Sequence, residues 1–180
     1  EYKSPTDMGV NRAGFSIIND DIVREAANQE IIRRYMIAQC DYKKGKINED
    51  ILERAKLLMD DMSLSVEDRK VVLPAREYAE EKKNCDERYA NVVVMAIELE
   101  DGKTITGRSS RRMVAAAAAV LNSIKYLSHI ADDLYLISPG VLRSIQELKT
   151  HVLGAEKTSL HCEEILTALT ISAATNPMAA

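Results

Sequence analysis

Three short stretches of this chain gather side chains that can do chemistry. Ser4-Pro5-Thr6-Asp7-Met8-Gly9-Val10-Asn11 sets hydroxyls, a carboxylate and an amide on a glycine-punctuated loop. That is the equipment needed to hold a polar ligand or a metal–phosphate group. Its candidate ligand-binding residues are Ser4, Thr6, Asp7 and Asn11: Asp7 brings the negative charge, and Asn11 can both donate and accept. The same residues also form the Asx and Ser/Thr turns of an ordinary connector, and both readings stay open. Ser109-Ser110-Arg111-Arg112, just after Gly107, places two hydroxyls and two guanidinium groups where a helix is expected to start. Free N–H groups and guanidinium forks make that a weak candidate for anion binding through Ser109, Ser110, Arg111 and Arg112. Plain helix capping beside two solvated arginines is the favoured alternative.

His161-Cys162-Glu163-Glu164 is the third stretch, and it suggests a metal. Zinc needs three or four ligands converging from separate elements. Neighbours on a helix point about 100° apart, so His161 and Cys162 cannot easily share one ion. His129, His151, Cys40 and Cys85 add no ligand spacing. The acids instead suit the positive end of a helix, and no metal site is expected. Neither HExxH nor GxSxG occurs, so no catalytic residue can be named and the question of an enzyme stays open. GxxxxGK[ST] and GxGxxG are also missing, and no cofactor is expected on this chain.

Composition narrows the partners. The 180 residues carry a net charge of −4, with 46% hydrophobic and 29% charged residues. That balance is globular and gives no global attraction for nucleic acid or an anionic membrane. Trp is absent and Phe15 is the single Phe, so Ile, Leu, Val, Met and Ala must build a helix-rich core. Three cysteines, widely spaced and without a CxxC pair, are expected as reduced, mostly buried thiols in the cytoplasm. No stretch is long and apolar enough to span a bilayer. A start without Met, and Pro177 three residues from the last, lead us to expect a piece of something longer.

The positioning elements follow from capping and periodicity. Asn19-Asp20-Asp21 opens a long helix to about Tyr42, with Val23, Ala27, Ile31, Tyr35, Ala38 and Tyr42 as its stripe and Gly45 as its stop. This register buries Cys40. Asn48 caps a second helix with Ile51, Leu52, Ala55, Leu58, Met59 and Met62 inward. Ser65-Val66-Glu67-Asp68 resembles a capping box, and a fresh helix starts near Pro74 and runs through Lys83. Residues 84–91 are polar and mark a boundary that leaves Cys85 exposed. Val92-Val93-Val94-Met95-Ala96-Ile97 is a buried strand, turned by Asp101-Gly102 into a partner ending at Gly107. A helix capped by Ser109 or Ser110 runs to about Ile130, its alanine run allowing close packing. Residues 134–137 form a short strand, Ser138-Pro139 opens another helix to about Gly154, and Ser159 starts the last. The fold class is therefore α+β: a helical domain, 1–88, then a small layered α/β subdomain, 89–180.

Several of these residues resemble a known family. Ser4-Pro5-Thr6-Asp7-Met8-Gly9-Val10-Asn11, Gln29-Glu30-Ile31-Ile32-Arg33-Arg34-Tyr35, and Cys40-Asp41-Tyr42-Lys43-Lys44-Gly45 are similar to the bacterial "domain of unknown function 1846" family, also called uncharacterised protein family 0371. Leu136-Ile137-Ser138-Pro139 and Ile171-Ser172-Ala173-Ala174-Thr175-Asn176-Pro177 match as well. The resemblance implies a longer protein. Its N-terminal part looks like a nucleotide-binding α/β domain, so a nucleotide is expected in the parent. Arg111 and Arg112 depart from the family pattern, which has apolar residues there. The hairpin and buried helix are also similar to the layered zinc deaminases, but those need a His or Cys and then Glu at the helix start, where this chain has none. The expected role is to shape a small-molecule site beside the nucleotide domain. The alternative is a non-catalytic module for oligomerisation or a regulatory partner. The expected partners are the rest of the parent chain and further copies of it, with no nucleic acid and no membrane.

Overall fold

The computed structural model describes residues 19–179, which divide into two units at Arg69 and Lys70. In the first unit, α1 spans Asp20–Lys43 and α2 spans Glu49–Asp61. Asn19 Oδ1 accepts from the N–H groups of Asp21 (3.1 Å) and Ile22 (3.3 Å), satisfying donors that a helix start leaves orphaned. At the other end Gly45 turns left-handed (φ +68°), donating to the Tyr42 carbonyl while Lys46 donates to that of Asp41. Helices α1 and α2 pack against each other, burying Ile32, Ala38 and Met59.

This register differs from the expected stripes. Ala27 and Tyr42 face solvent, as do Ile51 and Leu58 on α2 and Met62 at its C-cap. Cys40 is exposed rather than buried: it lies two residues past Ala38, about 200° around the helix. Cys85 is exposed as expected, and Cys162 is half-buried, so the thiols are not mostly interior.

The Ser65 box forms. Asp68 Oδ2 accepts from the Ser65 N–H (2.6 Å) and hydroxyl (3.0 Å), closing a single 3₁₀ turn at Val66–Asp68. Gln29 Nε2 donates to the Asp68 carbonyl (2.8 Å) and Arg69 Nη1 to that of Gln29 (3.2 Å), tying the turn to α1. On the outer face, Glu30 accepts from Arg33 and Arg34, which hold its carboxyl down at about 2. Such exposed pairs add little to stability.

The second unit opens with α3, Val72–Cys85, with Pro74 in its first turn, where a missing N–H is harmless. Strands β1, Val94–Glu98, and β2, Thr104–Arg108, form an antiparallel hairpin with Val94 opposite Arg108 and Glu98 opposite Thr104. Asp101 Oδ1 accepts the Lys103 N–H, and Gly102 takes φ +80° at the turn. Val93 and Met95 are exposed, so the expected fully buried strand is half-open. In a two-stranded ribbon alternate residues point to opposite faces. Helix α3 packs on the hairpin and therefore belongs with the second unit, not with the helical domain to residue 88.

Helix α4, Ala115–Leu127, lies tightly on β2, where a β-carbon on Gly107 would sit 2.1 Å from the Ala119 nitrogen. Helix α5, Pro139–Glu147, is capped by the Ser138 hydroxyl, which accepts the Val141 N–H (3.3 Å), and it widens into a π turn at Leu148–Val152. Helix α6 spans Cys162–Ala173. The core is Ala117, Leu136, Ile137, Leu142, Leu160, Ile165 and Ala168. Residues 134–137 are not a strand. The carbonyls of Tyr135 and Leu136 accept from Asn176 Nδ2 (3.0 and 3.1 Å) instead of a sheet neighbour, while Leu136 and Ile137 fill the core.

Candidate functional site

The segment after β2 does not become a helix at Ser109. Met113 pairs in parallel with Leu160: the Leu160 N–H donates to the Arg112 carbonyl (3.0 Å), and the Val114 N–H donates to that of Leu160 (3.0 Å). This bridge holds residues 112–114 extended, so α4 starts at Ala115 with Val114 at its cap, and α6 starts at Cys162 rather than Ser159. Ser109 and Ser110 therefore cap no helix.

They do other work. The Ser109 N–H donates to the Val93 carbonyl (2.8 Å) and its Oγ accepts the Val93 N–H (3.1 Å), prolonging the hairpin. Ser110 Oγ accepts the N–H groups of Arg112 (3.1 Å) and Met113 (3.2 Å). The Arg111 carbonyl accepts from Gln146 Nε2 (3.2 Å) and Thr158 Oγ1 (3.2 Å). The backbone of Arg111 and Arg112 is thus stapled on both sides. Their exposed guanidinium groups have no ion pair or hydrogen bond among the described residues.

These side chains line a cleft of about 1010 Å³ with Ser109, Ser110, Arg88 and Arg108. The four arginines are not equivalent. Asp86 accepts from Arg88 Nε (2.8 Å), Nη2 (2.5 Å) and backbone N–H (2.9 Å). The side-chain bonds, then the backbone bond, hold the Asp86 carboxyl below its usual range, and Asp86 in turn raises the Arg88 guanidinium. Arg88 is therefore largely neutralised. Arg108 lies 4.5 Å above the Tyr89 ring, a cation–π contact that orients it without cancelling its charge. Among the described residues, Arg111, Arg112 and Arg108 have no acidic partner, and the Glu87 carboxylate lines the same cleft.

A smaller pocket of about 370 Å³ shares Ser109, Ser110 and Arg111 with the cleft and adds Glu156, Lys157, Thr158 and Ser159. Lys149, 9% exposed, braces this wall: its Nζ donates to the Ser159 carbonyl (2.8 Å) and to Glu164 Oε2 (2.7 Å). Glu164 Oε2 also accepts the His161 N–H (2.7 Å) at the cap of α6. A third cleft, about 830 Å³, lies by Tyr126 and His129, but its Lys125 is spent on the Asp132 carbonyl (2.8 Å).

Ser109, Ser110, Arg111 and Arg112 come together in one cleft, although the helix start argued for them is absent. Arg88 and Arg108 carry no local sequence signal for this cleft. Arg88 sits in the polar stretch read as a linker and Arg108 at the end of a strand, and only the fold brings them to Arg111. Ser4, Thr6, Asp7 and Asn11 lie outside the described residues. His161 is the cap of α6, and among the described residues no three His, Cys, Asp or Glu side chains gather as metal ligands.

The chain belongs to the DUF1846 family. The family model "Domain of unknown function DUF1846, C-terminal" matches residues 67–180, and "Domain of unknown function DUF1846, N-terminal" matches residues 1–63. That junction falls close to the division between the two units. A UPF0371 protein from Clostridium botulinum (strain Eklund 17B / Type B) is 54% identical over 178 residues, covering 99% of this chain and 36% of the relative. One from C. botulinum (strain Kyoto / Type A2) is 53% identical with the same coverage. The chain thus spans about a third of the length of these relatives. Among the described residues no helix is long and apolar enough to cross a membrane.

Proposed function

We propose that the second unit contributes an anion-binding cleft to a longer cytoplasmic protein, and that this cleft holds the phosphate end of a small-molecule ligand. The observation that carries the reading is the pair Arg111 and Arg112, two guanidinium groups with no partner among the described residues, on a backbone hydrogen-bonded from both sides. A solvated arginine needs no such anchoring. A binding arginine gains from it, because the cost of ordering its backbone is met before the ligand arrives. Guanidinium forks match phosphate oxygens in pairs, and the Ser109 hydroxyl lies beside them, whereas that of Ser110 donates to the Met113 carbonyl (3.4 Å). In this reading a nucleotide binds elsewhere in the longer protein, and, separately from the cleft, Ser4, Thr6, Asp7 and Asn11 are proposed as polar contacts in the longer protein's ligand site.

Calorimetry of the full-length protein with inorganic phosphate tests this. Arg111→Gln with Arg112→Gln should weaken binding at least about tenfold, roughly 1.4 kcal/mol, without lowering the melting temperature. Unchanged affinity would refute the reading. A competing role in self-association or partner docking is favoured by Ile51, Leu57 and Leu58, exposed on α2, and by Met62, exposed at its C-cap. A full-length protein that sediments as a monomer at high concentration would count against self-association.

A further inference from the structure

We infer that the ligand of the arginine cleft is a sugar or polyol phosphate, whose hydroxyl-bearing end occupies the smaller pocket beside Arg111. The inference rests on the phosphate reading for one half of the ligand, and on separate observations for the other.

The two hollows are continuous in their lining, because Ser109, Ser110 and Arg111 border both. The larger is arginine-rich and the smaller is not. Both are open to solvent, the smaller more so than the larger. Every residue around the smaller pocket is polar: beyond the shared three it has Glu156, Lys157, Thr158 and Ser159. None of its lining residues is aromatic or purely hydrocarbon, so it has no ring to stack on a base. It offers hydroxyls and a carboxylate, groups that pair with the O–H groups of a polyol, which both donate and accept.

The available valences fit. Thr158 Oγ1 gives its proton to the Arg111 carbonyl and keeps lone pairs for a ligand hydroxyl. Ser109 Oγ accepts the Val93 N–H and keeps its proton to donate. Among the described residues Glu156 has no ion pair or hydrogen bond, so its carboxylate can accept from two neighbouring hydroxyls. The pocket is held in register with the cleft. Thr158 is bonded to the backbone of Arg111, Gln146 Nε2 bridges the carbonyls of Arg111 and Thr158, and Lys149 fixes Ser159. A molecule bridging the two hollows meets one rigid frame rather than two that must first align.

The test is calorimetry of the full-length protein with inorganic phosphate, glycerol phosphate, triose, pentose and hexose phosphates, and the unphosphorylated sugars. At least one sugar or polyol phosphate should bind ten times more tightly than inorganic phosphate, and the free sugars should bind far more weakly. Glu156→Gln should weaken the ester severalfold and leave inorganic phosphate unchanged, whereas Arg111→Gln with Arg112→Gln should weaken both. If no ester exceeds inorganic phosphate, or Glu156→Gln changes nothing, the inference is overturned while the anion site stands. If inorganic phosphate itself binds indifferently to the arginine variants, the anion reading and this inference fall together.

Discussion

Gly107 is where the hairpin and α4 approach most closely, and adding one methyl group there tests whether this contact holds the second unit together. A β-carbon at Gly107 would lie 2.1 Å from the Ala119 nitrogen, 2.6 Å from its α-carbon and 2.7 Å from the Ala118 carbonyl carbon. All three are backbone atoms of a helix, so no side chain can swing aside. Relief requires α4 to withdraw from β2 by roughly 1 Å or more before normal carbon contacts of about 3.5 Å return. The alanine run makes this approach available, since Ala115, Ala117 and Ala119 are buried with little bulk of their own. Overpacking in cores costs about 1–3 kcal/mol where side chains can shift. With only backbone to move, Gly107→Ala should cost about 3 kcal/mol or more. Gly140→Ala is the control: its β-carbon meets only the Ser138 Oγ, at 3.9 Å, within a helix, and it should be neutral or stabilising by up to about 1 kcal/mol. Urea denaturation followed by circular dichroism, with both variants at pH 7, gives the two values. A loss below about 1 kcal/mol for Gly107→Ala would show that α4 does not sit on β2 as described.

Two other sites yield expectations of opposite sign. Ser63 (φ +53°) and His129 (φ +54°) occupy the left-handed position that closes α2 and α4, so Ser63→Gly and His129→Gly should each stabilise by about 0.5 kcal/mol in thermal melts. A loss above about 1 kcal/mol at His129 would mean that its imidazole holds something in place. Lys149→Met removes one partner of a mostly buried pair and should cost about 1–3 kcal/mol at pH 7. Burial pushes the Glu164 carboxyl up, but bonds from Lys149 and the His161 N–H, with the Lys149 and His161 charges, bring it below its usual range. A depressed carboxyl contributes stability that is present above its unfolded pKa, about 4.3, and is lost as pH falls through the folded value. The gap between wild type and Lys149→Met should therefore narrow below about pH 4 in urea titrations, and a gap constant to pH 3 would refute the pairing.

What the sequence alone determined were features that close over a few residues. Asn19 caps α1, Gly45 ends it, Ser65 and Asp68 form their box, Asp101-Gly102 turns the hairpin and Ser138-Pro139 starts α5. In each case the groups that bond are within five positions of each other, so residue types suffice. The alanine run likewise announced a helix lying close to its neighbour, and Gly107 is where it does. The tertiary structure decided whatever depends on distant partners. Leu160 reaches back to Met113 across the sequence, and that one bridge moves the starts of both α4 and α6, so that no helix begins at Ser109 or Ser110. Asn176 takes the carbonyls that would have made residues 134–137 a strand. Packing on the hairpin, not the polar run after it, assigns α3 to the second unit. The same holds for the cleft. Arg111 and Arg112 were legible as a charged pair, but whether their charge is spent depends on where Asp86, Tyr89, Gln146 and Thr158 end up. Asp86 neutralises Arg88 and Tyr89 only orients Arg108, while Gln146 and Thr158 bond only the backbone of Arg111 and leave its charge without a partner among the described residues. Local patterns fix which bonds a segment can make by itself, and only the folded chain fixes which groups are left without one.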